Sequence, residues 1–172
     1  MAPAHPAPPR ASPRARDAFS TLVVELFRLN GALLEAGDRL AGDLGLTSAR
    51  WQVLGAIALA PSPLPVAHLA RQMGLARQSV QRLVREMQRE GLLRLEPNPH
   101  HRRAALVAMT PRGESAYRRT MARKDLWADG LTQGLPPEAM QQAAALLQEL
   151  RRRVPDSHGH IAAIAAAEEH PA

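Results

Sequence analysis

Apolar positions along this chain recur with two different periods, and each change of period marks a boundary. From Asp17 to about Gly42, Leu22, Leu26, Leu29, Leu33 and Leu40 recur at helical spacing, with Phe19, Val23, Phe27 and Leu34 widening the stripe. So broad an apolar face on one helix needs more cover than a small domain supplies. Another helix is expected from near Thr47. Val66, Leu69, Ala70 and Met73 then fall at i, i+3, i+4 and i+7, one face of a short helix. Gly74 ends that helix by supplying the left-handed backbone a tight turn needs. Ala70 is small enough for a second helix to cross closely, and Leu75 is expected to plug the turn. The second helix runs from Arg77 to about Glu90 and buries Val80, Leu83, Val84 and Met87.

Gly91-Leu92-Leu93 stops this helix, and the period falls to two over Leu93 to Glu96, as in a half-buried strand. Pro97 and Pro99 exclude a helix through the loop to Arg103. Ala104 to Met109 is expected to form a second strand. Thr110 as N-cap and Pro111 at the first helical position restart a helix. A last helix starts at Pro136-Pro137-Glu138 and runs to about Arg153, with Met140, Ala143, Ala144, Leu147 and Leu150 on one face. The expected fold is mostly α with a small β-hairpin wing. Residues 1–16 are expected to be a disordered, basic, Pro-rich arm, in which Arg10, Arg14 and Arg16 are candidates to brush phosphates. Residues 17–45 are expected to be an N-terminal dimerisation helix and 46–110 a winged helix-turn-helix. Residues 111–153 would be C-terminal dimerisation helices and 154–172 a flexible tail.

The chemistry sits on the outer face of the second helix and at the hairpin tip. Arg77, Gln78, Ser79, Gln81, Arg82, Arg85 and Arg89 are residue types that read base edges and hold phosphates. An ordinary helical hairpin with a solvated arginine face has the same spacing. The hairpin that follows, with Arg102 and Arg103 at its tip, favours duplex DNA, because a narrow minor groove attracts arginine.

LTSARWQVL at 46–54, HLARQMGLARQSVQRLV at 68–84, EGLL at 90–93 and NPHHRRAALVAMTPRG at 98–113 resemble, in order and spacing, the MarR family of multiple antibiotic resistance regulators. The resemblance covers about residues 17–153. It implies a winged helix-turn-helix in an obligate homodimer, acting as a transcription factor, usually a repressor, often released from DNA by a small molecule. It places Ser79, Gln81 and Arg82 at the major groove and Arg103 in the minor groove. A dimer implies a pseudo-palindromic target with half-site centres about 34–36 Å apart. Two positions depart from the family pattern. His101 stands where an acid usually helps hold the wing tip, and Leu95, preceded by Arg94, stands where an arginine is common. The resemblance also implies an effector pocket where the dimer helices meet the wing domain. Trp51 is a candidate lining residue there or a core residue, and His68 and Arg39 are candidate polar groups. The effector class expected is a small aromatic or phenolic compound. Gln52 follows Trp51 where urate-responsive relatives carry an acid, which argues against urate.

Composition narrows the alternatives. The 172-residue chain has a formal net charge of +6, and residues 71–103 carry eight arginines against three glutamates. The excess therefore lies on the face assigned to DNA, a polyanion. There is no cysteine, so disulfides and thiol-based sensing are excluded. No apolar run approaches a membrane span and the N-terminus lacks a signal-peptide core, so a cytoplasmic location is expected. His100-His101 and His158-Gly159-His160 lack metal-ligand spacing, so neither a metal nor a cofactor is expected. No phosphate loop or nucleophile elbow points to an enzyme. The competing readings are an architectural DNA-binding protein without an effector, and a helical adaptor. Protonation of His101 would add charge beside Arg102 and Arg103, so DNA affinity is expected to rise as pH falls.

Overall fold

The computed structural model describes residues 11–101 and 103–156. In chain order the elements are α1 (Pro13–Ala41), a 3-10 turn (Gly42–Leu44), α2 (Ser48–Ala58), β1 (Leu64–Pro65), α3 (Val66–Met73), α4 (Arg77–Arg89), β2 (Leu93–Glu96), β3 (Leu106–Met109), α5 (Pro111–Thr132) and α6 (Pro137–Asp156). The chain divides within α5 into one compact unit up to Leu126 and a second from Trp127. The mostly helical fold with a small antiparallel sheet is the one the periodicities predict.

In the first unit α2, α3 and α4 enclose a core with the sheet. Val53 and Leu54 from α2, Leu69 from α3, and Val80, Val84 and Met87 from α4 are fully buried, with Leu92, Leu93 and Val107 from the wing. Each such side chain contributes about 1.5–3 kcal/mol of burial. Leu83 and Met73 are half-buried against this cluster, so the expected faces of α3 and α4 are the observed ones. Gly74 caps α3 at φ 66°, the left-handed conformation that favours glycine. Leu75 does not plug the turn: it is 43% exposed, and its N–H donates to the Ala70 carbonyl. Backbone hydrogen bonds close the turn, so no side-chain plug is needed.

Three further boundaries differ from expectation. The helix begins at Pro13, so Arg14 and Arg16 belong to α1 rather than to a disordered arm. Ser12 explains the early start, because its Oγ accepts from the Ala15 N–H while Pro13 takes a position whose N–H needs no partner. Arg10 and the tail from residue 157 lie outside the described residues, and the final helix reaches Asp156. The sheet has three strands in the order β1-β3-β2 rather than two. Leu64 pairs with Val107 and Pro65 with Leu106, while Leu93 to Glu96 pair with Met109 back to Leu106. A two-residue edge strand ending in proline has no period to read, and proline is tolerated there because an edge needs no further N–H. The second wing strand starts at Leu106, two residues later than expected.

α5 begins as predicted: Thr110 Oγ1 accepts from the Gly113 N–H at 3.1 Å and donates to the Gly91 carbonyl at 2.6 Å. Within the first unit the stripe of α1 stays largely uncovered, with Phe19 52%, Phe27 70% and Leu29 54% exposed. In the second unit no described side chain of α6 is buried, and Met140 and Leu146 are exposed. Among the described residues no helix is long and apolar enough to cross a membrane.

Candidate nucleic-acid interface

Burying Val80, Val84 and Met87 fixes the rotation of α4 about its axis and turns the opposite face outward. Arg77, Gln78, Gln81, Arg82, Arg85 and Arg89 line one open groove of about 670 Å³ on that face. Ser79 is exposed but stands outside the groove. Among the described residues, none of the four groove arginines makes an ion pair or a side-chain hydrogen bond, whereas Arg28, Arg39, Arg50, Arg94, Arg123, Arg152 and Arg153 all pair with carboxylates. The groove therefore carries positive charge that no described residue compensates.

A second cleft, of about 200 Å³, joins the recognition-type helix to the wing. Arg77, Gln81, Leu95 and Arg103 line it together with residues around Val66 and Ala104. The fold thus brings Arg103 to the same cleft as two α4 residues. Arg102 lies outside the described residues. Arg94 is exposed but engaged within the sheet: its guanidinium donates to the Met109 carbonyl and pairs with Glu96.

The wing tip is held without the acid of the family pattern. The Asn98 Oδ1 accepts from the His100 N–H at 3.0 Å, and its Nδ2 donates to the Ala104 carbonyl at 2.9 Å. The His101 Nδ1 accepts from the Arg103 N–H at 3.3 Å, so protonating His101 would cost that bond while adding charge. Asn98 went unassigned in the sequence reading. The signal was there, since asparagine in a proline-flanked loop is a turn former that bonds its own backbone.

Sequence reasoning also missed what orients α4. Arg50, at the start of α2, lies with its side chain only 18% exposed. Its guanidinium forks onto Glu90 at 2.7 Å from both Nη1 and Nη2, reaches Glu86 at 3.8 Å, and donates to the Gly45 carbonyl. Arg112 donates to the Glu90 carbonyl, and Arg123 donates to the Leu40 carbonyl and to both oxygens of Asp43. The hydrogen bond from Arg123 holds the Asp43 carboxyl below its ordinary range.

The proposed effector residues are not brought together at any of the cavities described here. Trp51 on α2 is half-buried and is not among the residues of the core cluster. His68 is exposed on α3, and Arg39 is exposed on α1 and paired with Glu35.

A helix-turn-helix with a buried support face, a cationic outer face and an adjoining hairpin defines a winged-helix DNA-binding protein. The profile described as MarR family matches residues 44–104. Uncharacterized protein Rv2011c of Mycobacterium tuberculosis (strain ATCC 25618 / H37Rv) is 33% identical over 138 residues, covering 80% of this chain and 93% of that protein. The transcriptional activatory protein BadR of Rhodopseudomonas palustris is 32% identical over 98 residues, 56% of each chain. The crystal structure of CouR from Rhodococcus jostii RHA1 bound to p-coumaroyl-CoA superposes with a TM-score of 0.68 at 26% identity, covering 75% of this chain and 90% of that one. The chain belongs to the MarR family and is a DNA-binding transcriptional regulator.

Proposed function

We propose that the protein is a cytoplasmic homodimeric repressor that binds a pseudo-palindromic operator and is released by a small-molecule effector. The observation that carries the reading is the α4 groove, whose arginines have no carboxylate partner among the described residues. Arg77, Gln78, Gln81 and Arg82, with Ser79 beside them, take the major groove. Arg85 holds phosphate, and Arg102 and Arg103 serve the minor groove. The apolar residues left exposed on α1 support a homodimer, since a patch of that kind marks an interaction surface. The ligand in the name of the CouR structure supports an aromatic or phenolic effector class, with Trp51, His68 and Arg39 as candidate contacts. BadR, named as an activator, supports the second reading, in which the same DNA contacts activate transcription.

The test is binding to the DNA upstream of the protein's own gene across a salt series. Five arginines per protomer that are unpaired among the described residues, Arg77, Arg82, Arg85, Arg89 and Arg103, predict a slope of log K against log salt steeper than about −4. A flat salt dependence, or equal affinity for mixed-sequence DNA, would remove the operator-binding reading and leave an architectural protein or an adaptor.

A further inference from the structure

A cavity of about 360 Å³ opens between the α1–α2 connection and the first half of α5, away from the groove of α4. Its volume lies within the range of small-molecule sites, about 300–1,000 Å³. Leu44 and the buried Ala116 give it an apolar floor, and Arg112, Ser115 and Arg119 form its rim. Asp43 is the one carboxylate among the lining residues, and Arg123 already holds both of its oxygens. Arg119 makes no hydrogen bond or ion pair among the described residues, and its charge acts on Asp43 only at a distance, more weakly than that of Arg123. Arg112 commits one nitrogen to the Glu90 carbonyl and keeps its other N–H groups. Two guanidinium groups and a hydroxyl over an apolar floor are complementary to one carboxylate or phosphate group on a small organic body.

We propose that this cavity binds a small organic anion through Arg112 and Arg119, and that its occupancy is felt at the end of α4. The connection is short. Arg112 is bonded to the carbonyl of Glu90, the residue that caps α4. Gly45, which lines the cavity, offers its carbonyl to Arg50, and Arg50 grips the Glu90 carboxylate. An anion that draws Arg112 toward itself loosens one of the two ties on Glu90. The site is distinct from the Trp51, His68 and Arg39 set, none of which lines it. The DNA consequence rests on the proposed function; the binding itself does not.

The test titrates inorganic phosphate and, separately, butyrate into the full chain at constant ionic strength, following backbone amide resonances. Saturable shifts are expected at Gly45 and across residues 112–119, extending to Glu90. Butyrate should bind more tightly than phosphate, because only it uses the apolar floor. Arg119→Gln should weaken binding at least fivefold, and Ser115→Glu should abolish it; both positions are exposed, so the fold is retained. Absence of saturable shifts, or shifts unchanged in both variants, overturns the site. In a parallel arm, saturating butyrate should change operator affinity at least threefold in the wild type and not in Arg119→Gln. Unmoved operator affinity overturns the coupling. Lower operator affinity of Arg119→Gln without any added anion would assign the site to a DNA phosphate and overturn the small-ligand reading. A chain that shows the shifts but binds no DNA leaves the anion site standing and refutes the proposed function alone.

Discussion

Replacing Gly113 by alanine tests how α5 is joined to the wing. Gly113 is buried one turn into α5, and a Cβ there would sit 2.1 Å from the carbonyl oxygen of Leu92. An ordinary carbon–oxygen contact is about 3.3–3.6 Å, so roughly 1.2 Å must be found. The carbonyl has little freedom to swing aside, because it accepts from the Thr110 N–H at 3.1 Å. Helix α5 must therefore retreat from β2, at a cost of about 2–3 kcal/mol, the upper part of the range for overpacking because the overlap is with backbone. The better helix propensity of alanine returns up to about 1 kcal/mol. The net expectation is a loss of about 1–2 kcal/mol. For a chain of this size that lowers Tm by roughly 2–8 °C. Thermal unfolding followed by circular dichroism, at matched protein concentration, measures it. A Gly113→Ala protein that melts at or above the wild-type temperature would refute the close approach and the argument built on it.

Arg82→Ala or Arg103→Ala should each weaken operator binding by about 1–3 kcal/mol if the contact is to a base, and unchanged affinity in both would displace the proposed DNA face. Arg50→Ala removes a charged fork from a mostly covered position and should cost about 1–3 kcal/mol of stability, read from urea unfolding. The Arg123–Asp43 link has a definite pH signature. The folded-state pKa of Asp43 is depressed, so its stabilisation is present above the ordinary carboxylate range and is lost as pH falls through the lowered value. Asp43→Asn should therefore be less stable than the wild type at neutral pH, with the difference shrinking in strong acid; a difference independent of pH would sink this assignment.

The parts of the molecule legible in the sequence are those fixed by local rules. Gly74, the apolar faces of α3 and α4, and the Thr110-Pro111 helix start each depend on neighbours a few residues away. Leu75 misled because apolar character alone does not say whether a turn is closed by a side chain or by backbone bonds. Pro13 misled because proline marks both disorder and a helix's first turn, and Ser12 was the residue that decided between them. β1 escaped because two residues show no periodicity. The Arg50–Glu90 fork spans 40 positions and the Arg123–Asp43 pair spans 80, so no spacing rule connects them. For the interface itself, composition located the arginines, but only the packing of Val80, Val84 and Met87 shows that six α4 side chains line one groove.

Among the described residues, the side-chain ion pairs and hydrogen bonds that tie α4 to other elements gather in its last turn, at Glu86 and the capping Glu90, while its N-terminal turn has no capping side chain. The polar ties on the helix thus sit at one end, and its N-terminal turn is held by the packing of Val80 alone. Thirteen residues at about 1.5 Å each give an arm of roughly 20 Å. A tilt of about 5° at Glu90 would sweep the far end, where Arg77 and Gln78 sit, through roughly 1.7 Å, several times the roughly 0.5 Å within which a binding constellation must be held. A displacement at Glu90 that also shifts the packing of Val80 would reach the end of the helix proposed to face DNA as a misfit.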